Sequence, residues 1–246
     1  MHLASLFDAG ERISSARAIL LDWDGCLVHG EQLAPGAREI LQTCRDRIVL
    51  ISNQSAVESR DIQAFLRRRD LDLPIGQILL AGEFALDYVK SEMPDARIHL
   101  IASDPLRDRA QKLRLRLVET ENADVVLVLR DPKLSFSQLG PAIAATRRGA
   151  RLLAANPDRT HPSASGAPVV ETGTIAEAIS FAAFNASIQF LGKPRTEMFE
   201  AALSIMNARP SESVMIGDNP ETDGAGAAAA GIAFLQIEAP SRHLTI

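Results

Sequence analysis

Short runs of consecutive apolar residues alternate along the chain with longer segments in which apolar residues recur at helical spacing. The runs are rich in Val, Ile and Leu, which is typical of strands buried on both faces of a parallel sheet. Strands are predicted at Ala18–Leu21, Ile48–Ile51, Ile78–Leu80, Ile98–Ala102, Val125–Leu129, Leu152–Ala154, Val214–Ile216 and Ala233–Ile237. Helices are predicted at Gly36–Asp46, Glu58–Arg69, Phe84–Glu92, Ser135–Arg148, Thr174–Ala186, Thr196–Asn207 and Thr222–Ala230. Because parallel strands need crossover connections, the alternation predicts an α/β fold.

The composition fits a chain with a substantial core and a small-molecule ligand. Of its 246 residues, 46% are hydrophobic, which is enough for one large or two modest domains. The formal net charge of −5, with both signs interspersed, predicts no binding to nucleic acid or to a membrane surface. No apolar run is long enough to span a bilayer, and Cys26 and Cys44 lie in no metal-ligand spacing. A cytoplasmic protein with two reduced thiols is therefore expected.

Two acidic residues follow the first predicted strand directly, in the sequence Asp22-Trp23-Asp24-Gly25. Ligands of open α/β sheets bind beyond the carboxyl ends of the strands, so both carboxyl groups are predicted at a binding site. One carboxylate can attack phosphorus there, while the second, carried round a tight glycine turn, protonates the leaving oxygen. The same composition is also common in ordinary turns, and this motif by itself does not decide between the two.

A second acidic stretch, Gly217-Asp218-Asn219-Pro220-Glu221-Thr222-Asp223, follows the strand predicted at Val214–Ile216. Magnesium prefers carboxylate, phosphate and water oxygens, so Asp22 and Asp218 could hold one Mg²⁺ ion between two strand ends. Asp223 would then orient Asp218 or a water on the metal. The alternative is that Asp223 or Thr222 caps the following helix, and capping and catalysis are compatible.

Two further strand ends offer groups for a phosphate. Lys193, in Gly192-Lys193-Pro194, can neutralise a nucleophile and phosphoryl oxygens, although a single lysine is more often solvated. Ser52 and Asn53 follow Ile48–Ile51 and offer a hydroxyl, an amide and backbone N–H donors, although an N-cap role explains them equally well.

This ordered set of motifs resembles the haloacid dehalogenase superfamily of phosphohydrolases. The resemblance implies that Asp22 is the nucleophile and a metal ligand, and that Asp24 is the acid and base and lends a backbone carbonyl to Mg²⁺. It implies phosphate binding by Ser52, Asn53, Gly25 and Lys193, metal binding by Asp218, and supporting roles for Asp223 and Asn219. An acid at position 24 agrees with the phosphatases of the superfamily. Cys26, Gln54 and Pro220 depart from the residues common in the branch described next.

The segment from residue 53 to residue 192 is far longer than one crossover needs, so an inserted domain is expected there. The resemblance identifies a Rossmann-like core at residues 1–76 and 180–246, and an inserted α/β cap at residues 77–179. Asn156-Pro157-Asp158 and Gly173-Thr174-Ile175, within that insert, are similar to the 4-nitrophenylphosphatase branch. By composition, Asn156-Pro157-Asp158 is interpreted as a turn that borders the site. Relatives with this cap type frequently pair through it, which implies a homodimer.

The prediction is a magnesium-dependent phosphatase that hydrolyses a small phosphate monoester through an aspartyl phosphate on Asp22. Two alternatives stay open: a phosphotransferase that uses the same intermediate, and a binding protein that senses a phosphometabolite without turnover. A nucleotide-binding P-loop and a dinucleotide-binding fingerprint are excluded because neither glycine-rich pattern occurs.

Overall fold

The computed structural model describes residues 11–163 and 167–237. The ends of the predicted core, at residues 1–10 and 238–246, and residues 164–166 of the predicted cap lie outside these ranges. The strands are β1 (Ala18–Leu21), β2 (Val28–His29), β3 (Gln32–Leu33), β4 (Ile48–Ser52), β5 (Ile78–Leu80), β6 (Arg97–Ile101), β7 (Arg116–Leu117), β8 (Val125–Val128), β9 (Arg151–Ala154), β10 (Thr160–Pro162), β11 (Pro168–Val170), β12 (Ile188–Phe190), β13 (Ser213–Gly217) and β14 (Ala233–Gln236). The α-helices are α1 (Glu11–Ser15), α2 (Ala37–Thr43), α3 (Ser59–Arg67), α4 (Ala81–Glu92), α5 (Asp104–Lys112), α6 (Phe136–Arg147), α7 (Thr172–Ala182), α8 (Thr196–Met206) and α9 (Ala225–Ala229).

The first sheet has five parallel strands in the order β14-β13-β1-β4-β5. Its central strands β1, β4 and β13 are buried along their whole length, as expected for a sheet covered on both faces. The register pairs Leu21 with Ile216 on one side and with Leu50 on the other. The residues that follow these three strands therefore emerge at one edge of the sheet.

The second sheet also has five parallel strands, in the order β12-β9-β8-β6-β7. The predicted α/β class with two sheets is confirmed. Two strands lie on the other side of the predicted boundaries: β5 pairs with β4 in the first sheet, and β12 pairs with β9 in the second. The apolar run of β5 predicted a strand but not the sheet that it joins, and no strand was predicted at β12.

Helix α4 connects the two sheets. Its buried residues Ala85, Leu86 and Val89 belong to one apolar cluster that also contains Leu20 of β1 and Leu127 of β8. The two sheets thus share a core.

Hydrogen bonds from a backbone N–H to a side chain define the starts of other helices. Glu58 N donates to Asp61 Oδ2 at α3 (3.0 Å), and Ser135 N donates to Gln138 Oε1 at α6 (2.7 Å).

Helix α5 and the β10–β11 hairpin were not predicted. Helix α5 is rich in charged residues, and its buried residues are Leu106 and Ala110. In the structure Arg109 contacts Glu83 (3.3 Å) and Asp87 (2.9 Å), and its side chain is 29% exposed. These ion pairs add to the apolar packing of Leu106 and Ala110, which lie in the same cluster as the buried residues of α4. In the described ranges, no helix is long and apolar enough to cross a bilayer.

Candidate active site

Carboxylates from two neighbouring strand ends meet at the edge of the first sheet. Asp22 follows β1, and its N–H donates to Ile216 O (2.9 Å), which continues the strand pairing by one residue. Asp218 and Asp223 follow β13, the second within a turn of π-helix at Pro220–Gly224. One carboxylate oxygen from each of Asp22, Asp218 and Asp223 lies within 4.8 Å of the other two. The sequence predicted this convergence from the strand ends.

Lys193 is the cation among these carboxylates. Its Nζ donates to Asp22 Oδ1 (2.6 Å), to Asp223 Oδ1 (2.6 Å) and to Ile51 O (3.0 Å), and the residue is 2% exposed. Burial by itself lowers the pKa of Lys193, but the charges of Asp22 and Asp223 outweigh burial and raise the pKa above its ordinary value. The lysine is therefore a permanent internal charge that neutralises one of its neighbours.

Burial also governs the acids of this cluster. It raises the pKa of Asp22 well above its ordinary value, and the charge and hydrogen bond of Lys193 act in the opposite direction. Burial raises the pKa of Asp218 to about 6, and the negative charge of Asp223 adds to that effect. Three carboxyl groups beside one lysine leave an excess of negative charge in this cluster. Their oxygens are the ligands that a cation such as Mg²⁺ prefers, so the cluster favours a bound cation.

Two glycines allow this close packing. A Cβ on Gly25 would lie 2.4 Å from Asp218 Oδ2, and its φ of +87° is a conformation that other residues rarely adopt. A Cβ on Gly217 would lie 2.1 Å from Asp223 Oδ2. Each acidic side chain therefore fills space that a larger residue at the strand end would occupy.

Asp24 stands apart from the carboxylate cluster. Gln54 Nε2 donates to Asp24 Oδ2 over a long 3.5 Å, and both residues line the cavity. Burial raises the pKa of Asp24, and the charge of Glu171 in the second half of the molecule raises it further. A carboxyl group that tends to keep its proton suits a general acid.

Ser52 and Asn53 end β4 beside the lysine. Ser52 is 1% exposed, and its Oγ accepts a hydrogen bond from Gln54 N (3.1 Å). The side-chain amide of Asn53 forms two hydrogen bonds with the backbone of Lys193: Oδ1 accepts from Lys193 N (2.9 Å), and Nδ2 donates to Lys193 O (3.2 Å). Asn53 therefore positions the lysine as well as lining the cavity.

Asn219 closes the turn after β13. Its Oδ1 accepts from Glu221 N (2.9 Å), and its own N–H donates to Asp223 Oδ2 (3.3 Å). The cap that was considered for Asp223 or Thr222 is thus supplied by Asn219, because Asp223 is held by Lys193 instead.

The loop after Asn53 touches the strand ends of the second sheet. Asn156, which follows β9 and is 1% exposed, donates from Nδ2 to Asn53 O (2.6 Å) and to Ser55 Oγ (3.3 Å). Ser55 Oγ also lies 2.8 Å from Thr172 Oγ1, and Arg130 N donates to Ser55 O (3.2 Å). The carboxyl ends of both sheets therefore meet at one short loop.

A cavity of about 1390 Å³ lies between these two edges. The strand ends of the first sheet contribute the acids, Ser52, Asn53 and Asn219. Lys193 comes from the segment after β12, and the second half of the molecule contributes Arg130, Asp158, His161 and Glu171. The sequence interpretation missed Arg130, His161 and Glu171. Arg130 directly follows an apolar strand run, so the rule that found Asp22 could also have found it. Asn156-Pro157-Asp158 does border the cavity, as predicted, and Asp158 Oδ1 accepts from Asn53 Nδ2 (3.3 Å).

Comparison with known proteins agrees with this architecture. The model of the haloacid dehalogenase-like hydrolases matches residues 16–231, and the chain belongs to this family of enzymes. A dihydroxyacetone phosphatase of Corynebacterium glutamicum (strain R) is 30% identical over 221 residues, which cover 89% of this chain and 79% of that protein. The resemblance found in the motifs is thereby confirmed.

Solved structures share the whole arrangement of two sheets. A 4-nitrophenylphosphatase from Thermotoga maritima superposes with a TM-score of 0.84 at 25% identity, over 93% of this chain and 88% of that one. A glycerol phosphate phosphatase from Mycobacterium tuberculosis, solved in complex with magnesium, gives a TM-score of 0.83 at 24% identity, over 92% of this chain and 68% of that one. At that identity the second likeness shows the fold alone.

Proposed function

We propose that the protein is a magnesium-dependent phosphatase that hydrolyses a small-molecule phosphate monoester through an aspartyl phosphate on Asp22. The observation that carries this proposal is the contact of Lys193 Nζ with both Asp22 and Asp223, next to Asp218, at the base of the cavity. In this arrangement Lys193 fixes the position of the Asp22 carboxylate next to the site where a cation would bind. The relatives named as phosphatases support the same chemistry.

Asp22 is the nucleophile of this proposal. Lys193 binds Asp22 Oδ1, which leaves the second carboxylate oxygen for attack on phosphorus. As the new oxygen–phosphorus bond forms, the bond from phosphorus to the leaving oxygen breaks. Lys193 also lies where it can offset the charge of the transferring phosphoryl group, which is the main requirement of this reaction.

Asp24 supplies the proton. Protonated Asp24 gives its proton to the leaving oxygen, which departs as an alcohol. The resulting Asp24 carboxylate then takes a proton from a water molecule as that water attacks phosphorus, and the bond from phosphorus to Asp22 breaks. Inorganic phosphate leaves, and both aspartates return to their starting states.

The phosphoryl oxygens are assigned to the end of β4, where the hydroxyl of Ser52 and the backbone N–H of Asn53 are donors that line the cavity. Gly25 also lines the cavity, where its lack of a side chain leaves room for the phosphoryl group, while its own N–H donates to Val28 O (3.0 Å). Fixed donors of this kind need no rearrangement when charge develops.

The donor set fits Mg²⁺, since it consists of carboxylate oxygens held within 4.8 Å of one another. Asp22, Asp218 and the backbone carbonyl of Asp24 would hold the ion, with Asp223 and Asn219 in support. When bound, Mg²⁺ withdraws negative charge from the phosphoryl oxygens. The lack of a Cβ on Gly25 keeps this site open beside Asp218.

We assign the second sheet and its helices to a cap that covers the site and selects the leaving group. A cytoplasmic location is proposed as well, supported by the two buried free thiols of Cys26 and Cys44. Pairing of two copies through the cap is proposed from the family resemblance.

The test is phosphate release by the purified full-length chain from a panel of small phosphate esters, with Mg²⁺ and with a chelator. Release that requires the metal and is lost in Asp22→Asn is expected, while Asp46→Asn, at an exposed carboxylate, serves as the matched control. Covalent ³²P labelling of the wild type and not of Asp22→Asn tests the intermediate. Undiminished turnover by Asp22→Asn rules out the proposed nucleophile.

A further inference from the structure

A second group of charged residues faces Asp24 from the other side of the cavity. Arg130 follows β8, His161 lies on β10, and Glu171 is the N-cap residue just before α7. All three line the same cavity as Asp24, and their charges act on it. The catalytic proposal gives none of them a role. Their side chains are 21%, 37% and 14% exposed, respectively, so they are partly withdrawn from water.

Glu171 is the centre of this group. Its Oε2 accepts from Thr172 N (3.2 Å), which fixes the carboxylate at the start of the helix. Its Oε1 lies 3.3 Å from Arg130 Nε and 2.7 Å from His161 Nδ1, although His161 Nδ1 does not form a hydrogen bond there. The backbone of Arg130 is held as well, because its N–H donates to Ser55 O (3.2 Å). The backbone of Arg130 and the carboxylate of Glu171 are thus each held by a hydrogen bond.

The terminal nitrogens of Arg130 remain available for a ligand. Within residues 11–163 and 167–237, no hydrogen bond occupies either of them, and the only carboxylate paired with this guanidinium is that of Glu171. A guanidinium alone would recognise a carboxylate or a phosphate. Neutralised by Glu171, it becomes one half of a donor–acceptor pair that carries no net charge.

His161 adds no charge to this balance at neutral pH. Burial lowers the pKa of His161, and the nearby guanidinium of Arg130 lowers it further, whereas Asp24 has the opposite effect. The pair formed by Arg130 and Glu171 therefore presents donors and acceptors to the cavity without a field that attracts an anion.

We propose that Arg130 and Glu171 form the subsite for the leaving group, and that they select a leaving group with neutral hydroxyl or keto oxygens over one with a second anionic group. Arg130 donates to those oxygens and Glu171 accepts from hydroxyl protons. The inference rests on the proposed phosphatase activity. It places the subsite in the same cavity as Asp24, the group that protonates the leaving oxygen.

The test measures kcat and KM of the full-length chain with Mg²⁺ on three esters: glycerol 3-phosphate, 2-phosphoglycolate and 4-nitrophenyl phosphate. In Glu171→Gln the guanidinium loses its counter-charge but the helix keeps a capping group. The preference in kcat/KM for glycerol 3-phosphate over 2-phosphoglycolate should fall by about tenfold or more, mainly through KM. Arg130→Met should lower kcat/KM for glycerol 3-phosphate by about tenfold.

The aromatic ester separates this subsite from the chemistry. Its leaving group bears no hydroxyl for the subsite to bind, so both variants should lower kcat/KM for 4-nitrophenyl phosphate less than they lower kcat/KM for glycerol 3-phosphate. Glu177→Gln, at an exposed position of the same helix, is the matched control and should leave the preference unchanged. Intact turnover of 4-nitrophenyl phosphate with an unaltered preference in Glu171→Gln overturns the subsite alone. Failure of the wild type to hydrolyse any of the three esters overturns the proposed function together with it.

Discussion

The two sheets present their carboxyl edges to the same cavity, but they present different chemistry. The first edge packs three acids and one lysine into a buried group whose contacts are as short as 2.6 Å. The second edge contributes Arg130, Asp158, Arg159, His161 and Glu171, in which two guanidinium groups balance two carboxyl groups. The first edge suits the transfer of the phosphoryl group, a step common to all phosphate esters. The second edge suits discrimination among their leaving groups.

The two edges should also differ in how well they tolerate substitutions. The groups of the first edge depend on one another, because removing the lysine leaves two carboxylates unpaired in a buried place. The groups of the second edge are linked less tightly and keep some contact with water. Substitutions should therefore have their largest effects on the first edge, and smaller ones with distance from it.

The largest effect is expected for Lys193→Met. The substitution leaves Asp22 and Asp223 without their shared cation, so turnover should fall by roughly 10³-fold. The free energy of unfolding, measured with urea in a chelator, should fall by about 3 kcal/mol. Lys90→Met, at an exposed lysine of α4, is the control. A variant with wild-type stability and turnover would show that the first edge is not a mutually dependent unit.

Gly25→Ala should have the next largest effect. Its methyl group would lie 2.4 Å from Asp218 Oδ2, so the acid must move, and turnover should fall by roughly 10²-fold with a higher Mg²⁺ requirement. Gly30→Ala is the matched control, because Gly30 also has a positive φ (+63°) but has no atom within 4 Å of the added methyl. Equal losses in the two variants would assign the effect to backbone strain rather than to Asp218.

Asn156→Asp tests the connection between the two edges. A carboxylate cannot donate to Asn53 O, so Asn53 should be held less firmly and its hydrogen bonds to Lys193 should weaken. We expect kcat to fall by about tenfold. Steady-state kinetics on 4-nitrophenyl phosphate measure this change, with the exposed Asn122→Asp as control. Unchanged kcat would mean that the two edges act independently.

The smallest effect concerns stability in the second sheet. His99 on β6 is 2% exposed, and burial lowers its pKa below the ordinary value of 6.5. The unfolded chain therefore binds this proton more readily, and stability should fall as pH falls through the ordinary range. Urea unfolding should show a loss of about 1 kcal/mol from this residue between about pH 7.5 and about pH 5.5. In His99→Leu that part of the pH dependence should vanish, and an identical slope in both proteins would contradict the assignment.

The first edge could be anticipated because its groups lie next to each other in the sequence or directly after strong apolar runs. Asp22 and Asp24 are two residues apart, and Asp218 and Asp223 share one turn. Parallel strands bring their carboxyl ends together, so the residues after those strands had to meet. The close contact of Lys193 with both Asp22 and Asp223 needed the structure.

The second edge escaped prediction for physical reasons. His161 lies on a short hairpin, and Glu171 precedes a helix, so neither follows an apolar run that marks a buried strand. Asn156 was interpreted as a turn residue, but its amide is buried and bonds to Asn53 and Ser55. Composition describes the local backbone, whereas this role depends on a partner about a hundred positions away. The sheet that β5 joins could not be predicted for the same reason, and no strand was predicted at β12.

The loop of residues 53–56 has a consequence for protein engineering. It lies in the first half of the molecule, yet Ser103, Arg130, Asn156 and Thr172 all bond to it from the second. A cap transplanted from a relative would meet a loop shaped for a different set of partners. The transferable module is therefore the cap together with the loop of residues 53–56, and a chimera that exchanges both should express and fold better than one that exchanges the cap alone.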